Sequence, residues 1–408
     1  MKTKKSQKMQ STKRALLAAT VIAGTVSLVS FSAPAQNAGP IKIGFIAEQS
    51  GFYSYYGTAC VKAMQLAEKK INDAGGVLNR PLQFIVTDSQ SNPSQGAAAA
   101  RSLDVQDNVL AISGPVNSDV ALAVYGYVEQ NKIPLVLPAA AYAQLTKPGT
   151  RYTFRVEPDA VGWGYAYAKF LGERKPGAKV VYMYLDIAVT RAISAGLKYQ
   201  APRSKIEVLS EVVFPQGSSD ATVQAAQVAA MKPDYVIVGT VGAFDITLTN
   251  QLLDLGFKPE QLLHILGTSP SILGYGKRSV GSLYGTFFDA NLENVTPVGQ
   301  QFVKEYTEQV GRIPSFVENY CFISPYIIKA AIEKAGAVDR EKFRDALGTL
   351  KMVEPTSSVA IEFDKNGARK EYMYMMEIQS VAEKTYTAKK IYYLEWDPEV
   401  IPVYDLVK

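Results

Sequence analysis

The chain has 408 residues, 47% of them hydrophobic and 20% charged, a balance that supports a large buried core and excludes a disordered or collagen-like chain. The formal charge is +5, yet Lys2, Lys4, Lys5, Lys8, Lys13 and Arg14 fall in residues 1–35 beside no acid, so the remaining 37 of 43 bases face 38 acids. A near-neutral mature chain has no global field to hold a polyanion, which excludes nucleic acid as the expected partner.

Residues 1–35 read as a leader. A basic segment runs to Arg14, an uncharged apolar stretch follows from Ala15 to Phe31, and Ala33-Pro34-Ala35 places small residues where a signal peptidase cuts. Cleavage before Gln36 and a periplasmic location are expected. The stretch is short and rich in Ala, Ser and Thr, whereas a membrane anchor needs about 20 apolar residues.

From Ile41 short β-rich runs alternate with helical patterns. Ile41 to Ile46 predicts a strand, and Thr58 to Asp73 an amphipathic helix stopped by Gly75-Gly76. Leu82 to Thr87, Val109 to Ser113 and Leu135 to Leu137 predict buried strands, separated by helices at Ser94 to Gln106 and Asp119 to Gln130. After Thr153-Phe154-Arg155 the alternation restarts. Strands at Val180 to Tyr184, Glu207 to Val213, Tyr235 to Val238 and Leu262 to Leu266 enclose helices at Trp163 to Gly172, Ala221 to Ala230 and Phe244 to Leu255. Further passages are expected at Phe287 to Asn291, in a long helix Tyr320 to Ala335 and at Tyr372 to Met376. This order predicts an α/β fold of two parallel-sheet layers, with ligand sites beyond the strands' carboxyl ends. No Ser/Gly/Pro tether separates the layers, which favours two lobes on a hinge.

Chemistry-bearing residues are sparse. Cys60 and Cys321 allow one bridge in an exported protein, or two buried thiols. His264 is the only histidine, so no Cys/His zinc cluster forms and any Ser-His-acid triad would need that imidazole. No Gly-x-Ser-x-Gly elbow or Gly-Lys-Ser/Thr phosphate loop occurs. Neither a metal, a cofactor nor an enzyme is expected.

Four segments together carry a resemblance: Ile41-Lys42-Ile43-Gly44 through Ser50-Gly51 and Tyr56-Gly57; Ile71 through Gly76; Gly114 through Ser118 with Ile133 through Ala140; and Tyr152-Thr153-Phe154-Arg155. Their order and spacing resemble the periplasmic solute-binding proteins of leucine/isoleucine/valine and hydrophobic amino-acid ABC importers, over nearly all the mature chain. The resemblance implies the type I periplasmic binding fold, two Rossmann-like lobes joined by three hinge crossings near residues 153–157, 287–292 and 373–377. Lobe 1 would hold residues 36–155 and 290–374, and lobe 2 residues 156–289 and 375–408. It implies as partners a small-molecule carboxylate and a membrane permease, with the chain a monomer. A sensory protein reporting to a receptor is an alternative that shares the same closure.

The resemblance also nominates a site. Asn117-Ser118 and Ala139-Ala140-Ala141-Tyr142 would grip a ligand carboxylate, although Ser118 is equally placed to cap the following helix. Tyr53, Tyr55 and Tyr56 would wall the ligand, with Trp163 completing a cage or packing between lobes. Val189 and Val241 stand where amino-acid binders often carry Tyr, Ala141 where Thr or Ser is usual, and Ser269 where an acid would pair with an α-ammonium. The favoured ligand is therefore an aromatic or hydrophobic acid without an amine. A branched-chain or other hydrophobic amino acid is the alternative, with Glu157, Asp159 or Asp186 as counter-charge.

Overall fold

A computed structural model describes residues 39–396 and 400–407. The expected leader, with its cleavage point, lies outside the described residues. Among them, no helix is long and apolar enough to cross a membrane.

The first layer is a five-stranded parallel sheet in the order β2-β1-β3-β4-β5, from β1 (Ile41–Ala47), β2 (Leu82–Asp88), β3 (Ala111–Ser113), β4 (Leu135–Leu137) and β5 (Thr153–Arg155). Helices α1 (Ser54–Asp73), α2 (Pro93–Val105) and α3 (Ser118–Asn131) connect its first four strands. The central strands are buried on both faces, hence their runs of apolar residues in place of alternation. Helix α1 presents Tyr56, Cys60, Met64, Ala67 and Ile71 as one buried stripe at three- to four-residue spacing. It stops at Gly75 and Gly76, both at positive φ, where the Gly76 N–H closes the last turn on the Ile71 carbonyl at 2.9 Å.

The second layer is a seven-stranded sheet in the order β14-β13-β10-β9-β8-β6-β7. Its parallel part contains β6 (Lys179–Leu185), β7 (Glu207–Phe214), β8 (Tyr235–Gly239), β9 (Leu262–His264) and β10 (Leu283–Thr286). Around them run α4 (Ala160–Arg174), α5 (Ala188–Gln200), α6 (Thr222–Met231), α7 (Ala243–Asp254) and α8 (Ser269–Tyr275). The chain then forms α9 (Pro297–Val310), α10 (Phe316–Ala335) and α11 (Arg340–Gly348), and a small antiparallel pair, β11 (Lys351–Val353) with β12 (Ala360–Glu362). A long hairpin of β13 (Glu371–Val381) and β14 (Tyr386–Trp396) adds an antiparallel edge to the second sheet, and α12 (Val403–Leu406) follows. β13 opens at Glu371, so the second sheet takes in residues 371–374, which the expected boundary assigned to the first lobe.

Helix α10 returns to the first layer, and a disulfide between Cys60 on α1 and Cys321 on α10 fixes it there, with Cα atoms 5.3 Å apart. The bridge decides between the two fates left open for these cysteines. Helix α5 had no counterpart in the sequence pattern, and the strand expected to reach Leu266 ends at His264.

Candidate functional site

The carboxyl ends of the parallel strands converge on one cavity of about 420 Å³, counting its mouth. The first layer contributes Tyr53 and Tyr56 at the start of α1, Val116 and Ser118 after β3, Ala139 and Ala141 after β4, and Glu157 after β5. The second layer contributes Trp163 in α4, Val189 in α5, Val241 after β8 and Leu266 after β9. Phe316 and Val317, opening α10, complete the lining.

Local chemistry explains why these residues meet. Gly57 lets α1 lie against β1: a Cβ there would sit 2.1 Å from the Glu48 carbonyl oxygen, so Tyr56 is carried to the cavity only because its neighbour has no side chain. The Glu48 carboxylate accepts the N–H groups of Asn117 at 3.0 Å and Val116 at 3.3 Å, which holds the loop after β3. Burial raises that carboxyl to about 7, against the opposing pull of those two N–H bonds. The cap of α3 is Asn117, whose Oδ1 accepts from Asp119 N at 2.8 Å and Val120 N at 3.4 Å. Ser118 is thus the first helical residue and not the cap; its N–H is one of the four that a helix start leaves unpaired, at the positive end of the helix dipole.

The walls are aromatic and apolar. Trp163 packs on Phe287 with ring centroids 5.2 Å apart and edge-on to Phe316 at 6.4 Å, and its Nε1 donates to the Pro158 carbonyl at 3.1 Å. Its ring, not its N–H, is what the cavity gains. Tyr53 and Tyr56 are buried, which pushes the Tyr56 phenol up to about 12 and that of Tyr53 well above its ordinary value. Both remain neutral donors. Glu157 bears the single carboxyl group among the described residues of the lining, and is only 2% exposed. Burial pushes its carboxyl well above the usual carboxylate range, opposed by the Arg155 charge.

Contacts across the cleft close it. The Gly242 N–H donates to the Tyr56 hydroxyl at 3.4 Å, the Ala188 N–H donates to Asp119 Oδ2 at 3.5 Å, and Arg191 lies 3.8 Å from Asp119 Oδ1. The Ser269 hydroxyl donates to the Ile313 carbonyl at 2.6 Å and accepts from Arg312 at 2.9 Å.

A family model described as "Periplasmic binding protein" matches residues 40–384. The chain belongs to that family. This binding protein is 27% identical to the Leu/Ile/Val-binding protein BraC3 of Rhizobium johnstonii over 352 residues, covering 85% of this chain and 93% of the relative. Its fold is similar to a solute binding protein of an ABC transporter from R. palustris solved in complex with benzoate (TM-score 0.79, 19% identity, 89% of this chain and 99% of that one). It is also similar to the leucine binding protein LivK of Thermotoga maritima (TM-score 0.75, 23% identity, 88% and 100%). The fold is the type I periplasmic binding fold, and the protein is a substrate-binding protein, not an enzyme.

Of the residues nominated from sequence, the structure brings Tyr53, Tyr56, Ser118, Ala139, Ala141, Trp163, Val189 and Val241 around the cavity of this binding protein. Five stand off its lining for identifiable reasons. Tyr55, one helical step from Tyr56, is 47% exposed with its ring 5.3 Å from the Arg312 guanidinium. The Asn117 side chain is engaged as the cap, Ala140 points into the core behind the sheet, and the Tyr142 hydroxyl donates to the Val407 carbonyl at 3.2 Å. Ser269 is held by Ile313 and Arg312. Of the three acids named as possible counter-charges, Asp159 caps α4 through Gly162 N, Asp186 pairs with Arg191 at 2.7 Å, and Glu157 alone reaches the cavity. Val116 and Leu266 sit inside segments already singled out, whereas Phe316 and Val317 carried no local signal. His264 is buried outside the cavity, 3.1 Å from the Tyr275 hydroxyl, and burial lowers it to about 3, which keeps it neutral.

Proposed function

We propose that this binding protein is the extracytoplasmic component of an ABC importer and traps a small aromatic or hydrophobic carboxylate between two lobes. The observation that carries the reading is the cavity's composition. Its walls are aromatic and aliphatic, its donors at the α3 start are neutral, and its one acid is kept from ionising by burial. The R. palustris neighbour bound to benzoate supports it.

The ligand first meets Ser118 and the Ala139 to Ala141 amides of the lobe built on the first sheet. The lobe built on the second sheet then closes, forming the Tyr56 to Gly242 and Asp119 to Ala188 contacts. Ligand shifts the population only through its differential affinity for the closed form, which is what the permease receives. The protein acts in the periplasm as a monomer. A second reading, a hydrophobic amino acid whose ammonium ionises Glu157, is favoured by that residue's place in the lining and by the name of the Rhizobium johnstonii relative.

A thermal-shift screen of aromatic acids against branched-chain amino acids separates the two. A true ligand at about 100-fold excess over Kd stabilises by about 2.7 kcal/mol. Stabilisation by amino acids alone would reverse the preference.

A further inference from the structure

Glu157 lines the cavity with its side chain buried, and no hydrogen bond reaches its carboxyl from any described residue. The Arg155 charge acts on it without pairing with it. Arg155 directs its guanidinium to Thr146 Oγ1 at 3.4 Å, to the backbone carbonyl of Glu157 itself and to Glu371 at 3.5 Å. Buried polar groups are ordinarily paired, so an unpaired buried carboxyl facing a cavity marks a place where the occupant supplies the partner. The other polar groups offered to that space, the Ser118 hydroxyl and N–H and the Tyr53 and Tyr56 phenols, are neutral and able to donate. A ligand carboxylate presents about four acceptor sites and no donor, so a set made of donors matches it.

We propose that Glu157 enters the complex as the neutral acid and donates its O–H to a ligand oxygen, so that anion binding is coupled to Glu157 protonation. The proposal rests on the reading that the cavity takes a carboxylate. An acid-to-carboxylate hydrogen bond is charge-assisted and short, and an ionised Glu157 would instead repel the anion. Above the carboxyl's pKa in the free protein, each ligand bound takes one proton from solvent onto Glu157, and affinity falls by up to about tenfold per pH unit.

The groups around Glu157 leave this coupling legible. Arg155 on β5 stays charged, with Glu371 beyond it, and the Asp159 carboxyl is engaged at the start of α4. Tyr167 of α4, Tyr320 of α10 and the cavity phenols Tyr53 and Tyr56 are all raised by burial and remain neutral. Glu48, raised to about 7, and Asp245, raised to about 6, titrate outside the lining and contribute equally to wild type and a Glu157 variant.

The test is calorimetric titration of benzoate into the full mature chain from about pH 6 to about pH 10, in buffers of differing ionisation enthalpy, for wild type and Glu157→Gln. In wild type, affinity is expected to fall at the alkaline end with proton uptake. Glu157→Gln keeps a donor of similar shape, and should bind benzoate about three- to tenfold more weakly at the acid end with a flattened profile. Identical pH profiles in the two proteins, or affinity rising with pH, would overturn the role of Glu157 while leaving carboxylate binding intact. The buffer series on wild type needs no variant, and proton release on binding would overturn the role by itself. Failure of benzoate and other aromatic acids to bind at every pH, with leucine binding and releasing a proton, would overturn both this role and the ligand class.

Discussion

Replacing Ser118 by Ala separates the proposed ligand contact from the helix cap, because the cap is the adjacent residue, Asn117. Asn117 caps α3 through Asp119 N and Val120 N, and the loop before it hangs on Glu48, so neither depends on the Ser118 hydroxyl. Ser118→Ala should therefore leave unfolding free energy within about 0.5 kcal/mol of wild type, as for a substitution that breaks no structural feature. Asn117→Ala should cost about 1 kcal/mol, as a lost cap does. Toward an anionic ligand, removing one hydroxyl donor to a charged group costs about 1.5 to 3 kcal/mol, or roughly 10- to 150-fold in Kd. Chemical denaturation without ligand and calorimetry with benzoate read the two quantities on the same preparations. Unchanged affinity in Ser118→Ala, or a stability loss matching that of Asn117→Ala, would refute the assignment.

Tyr56→Phe deletes the hydroxyl that accepts from Gly242 and should loosen closure by roughly 0.5 to 1.5 kcal/mol, seen as a faster ligand off-rate in stopped flow. An unaltered off-rate would mean that this contact does not hold the cleft shut. Reducing the Cys60 to Cys321 bridge should cost about 2 to 5 kcal/mol and lower Tm, since it ties α1 to a helix 261 residues further along the chain; equal Tm with and without reductant would contradict that. For Glu48 the folded carboxyl lies above its unfolded value, so the folded state binds the proton more tightly and stability falls as pH rises from about 4.5 to about 7, by about 3 kcal/mol, then levels off. Glu48→Gln should flatten that slope in pH-dependent denaturation; an unchanged slope would move its origin elsewhere.

Where local pattern and burial coincide, the sequence was readable. The runs from Ile41, Val180 and Tyr235 are apolar because their strands are covered on both faces, and each of these, like the edge strand from Leu82, became a strand near its expected limits. Helix α5 was not predicted because much of its buried face is small or polar, with Ala188, Thr190, Ala192, Ser194 and Gly196, and so carries little apolar periodicity. The hairpin β13–β14 has half-exposed positions and its pairing is long-range, so only part of it was visible. The site divides along the same line. Residues at strand ends, such as Ser118, Ala139 and Val241, follow from topology, and Tyr56 parts from Tyr55 because adjacent helical residues point about 100° apart. Phe316 and Val317 reach the cavity only through the return of α10, a placement no local pattern encodes. Glu157 had been named among three acids, and packing was needed to select it.

The central claim is that the cleft selects a carboxylate carried on an apolar or aromatic body and not a zwitterion. Calorimetric titration of the mature protein with benzoate and with leucine, at the same pH and salt, tests it most directly. Saturable binding of benzoate with leucine silent is the expected result; tight leucine binding with benzoate silent would contradict it.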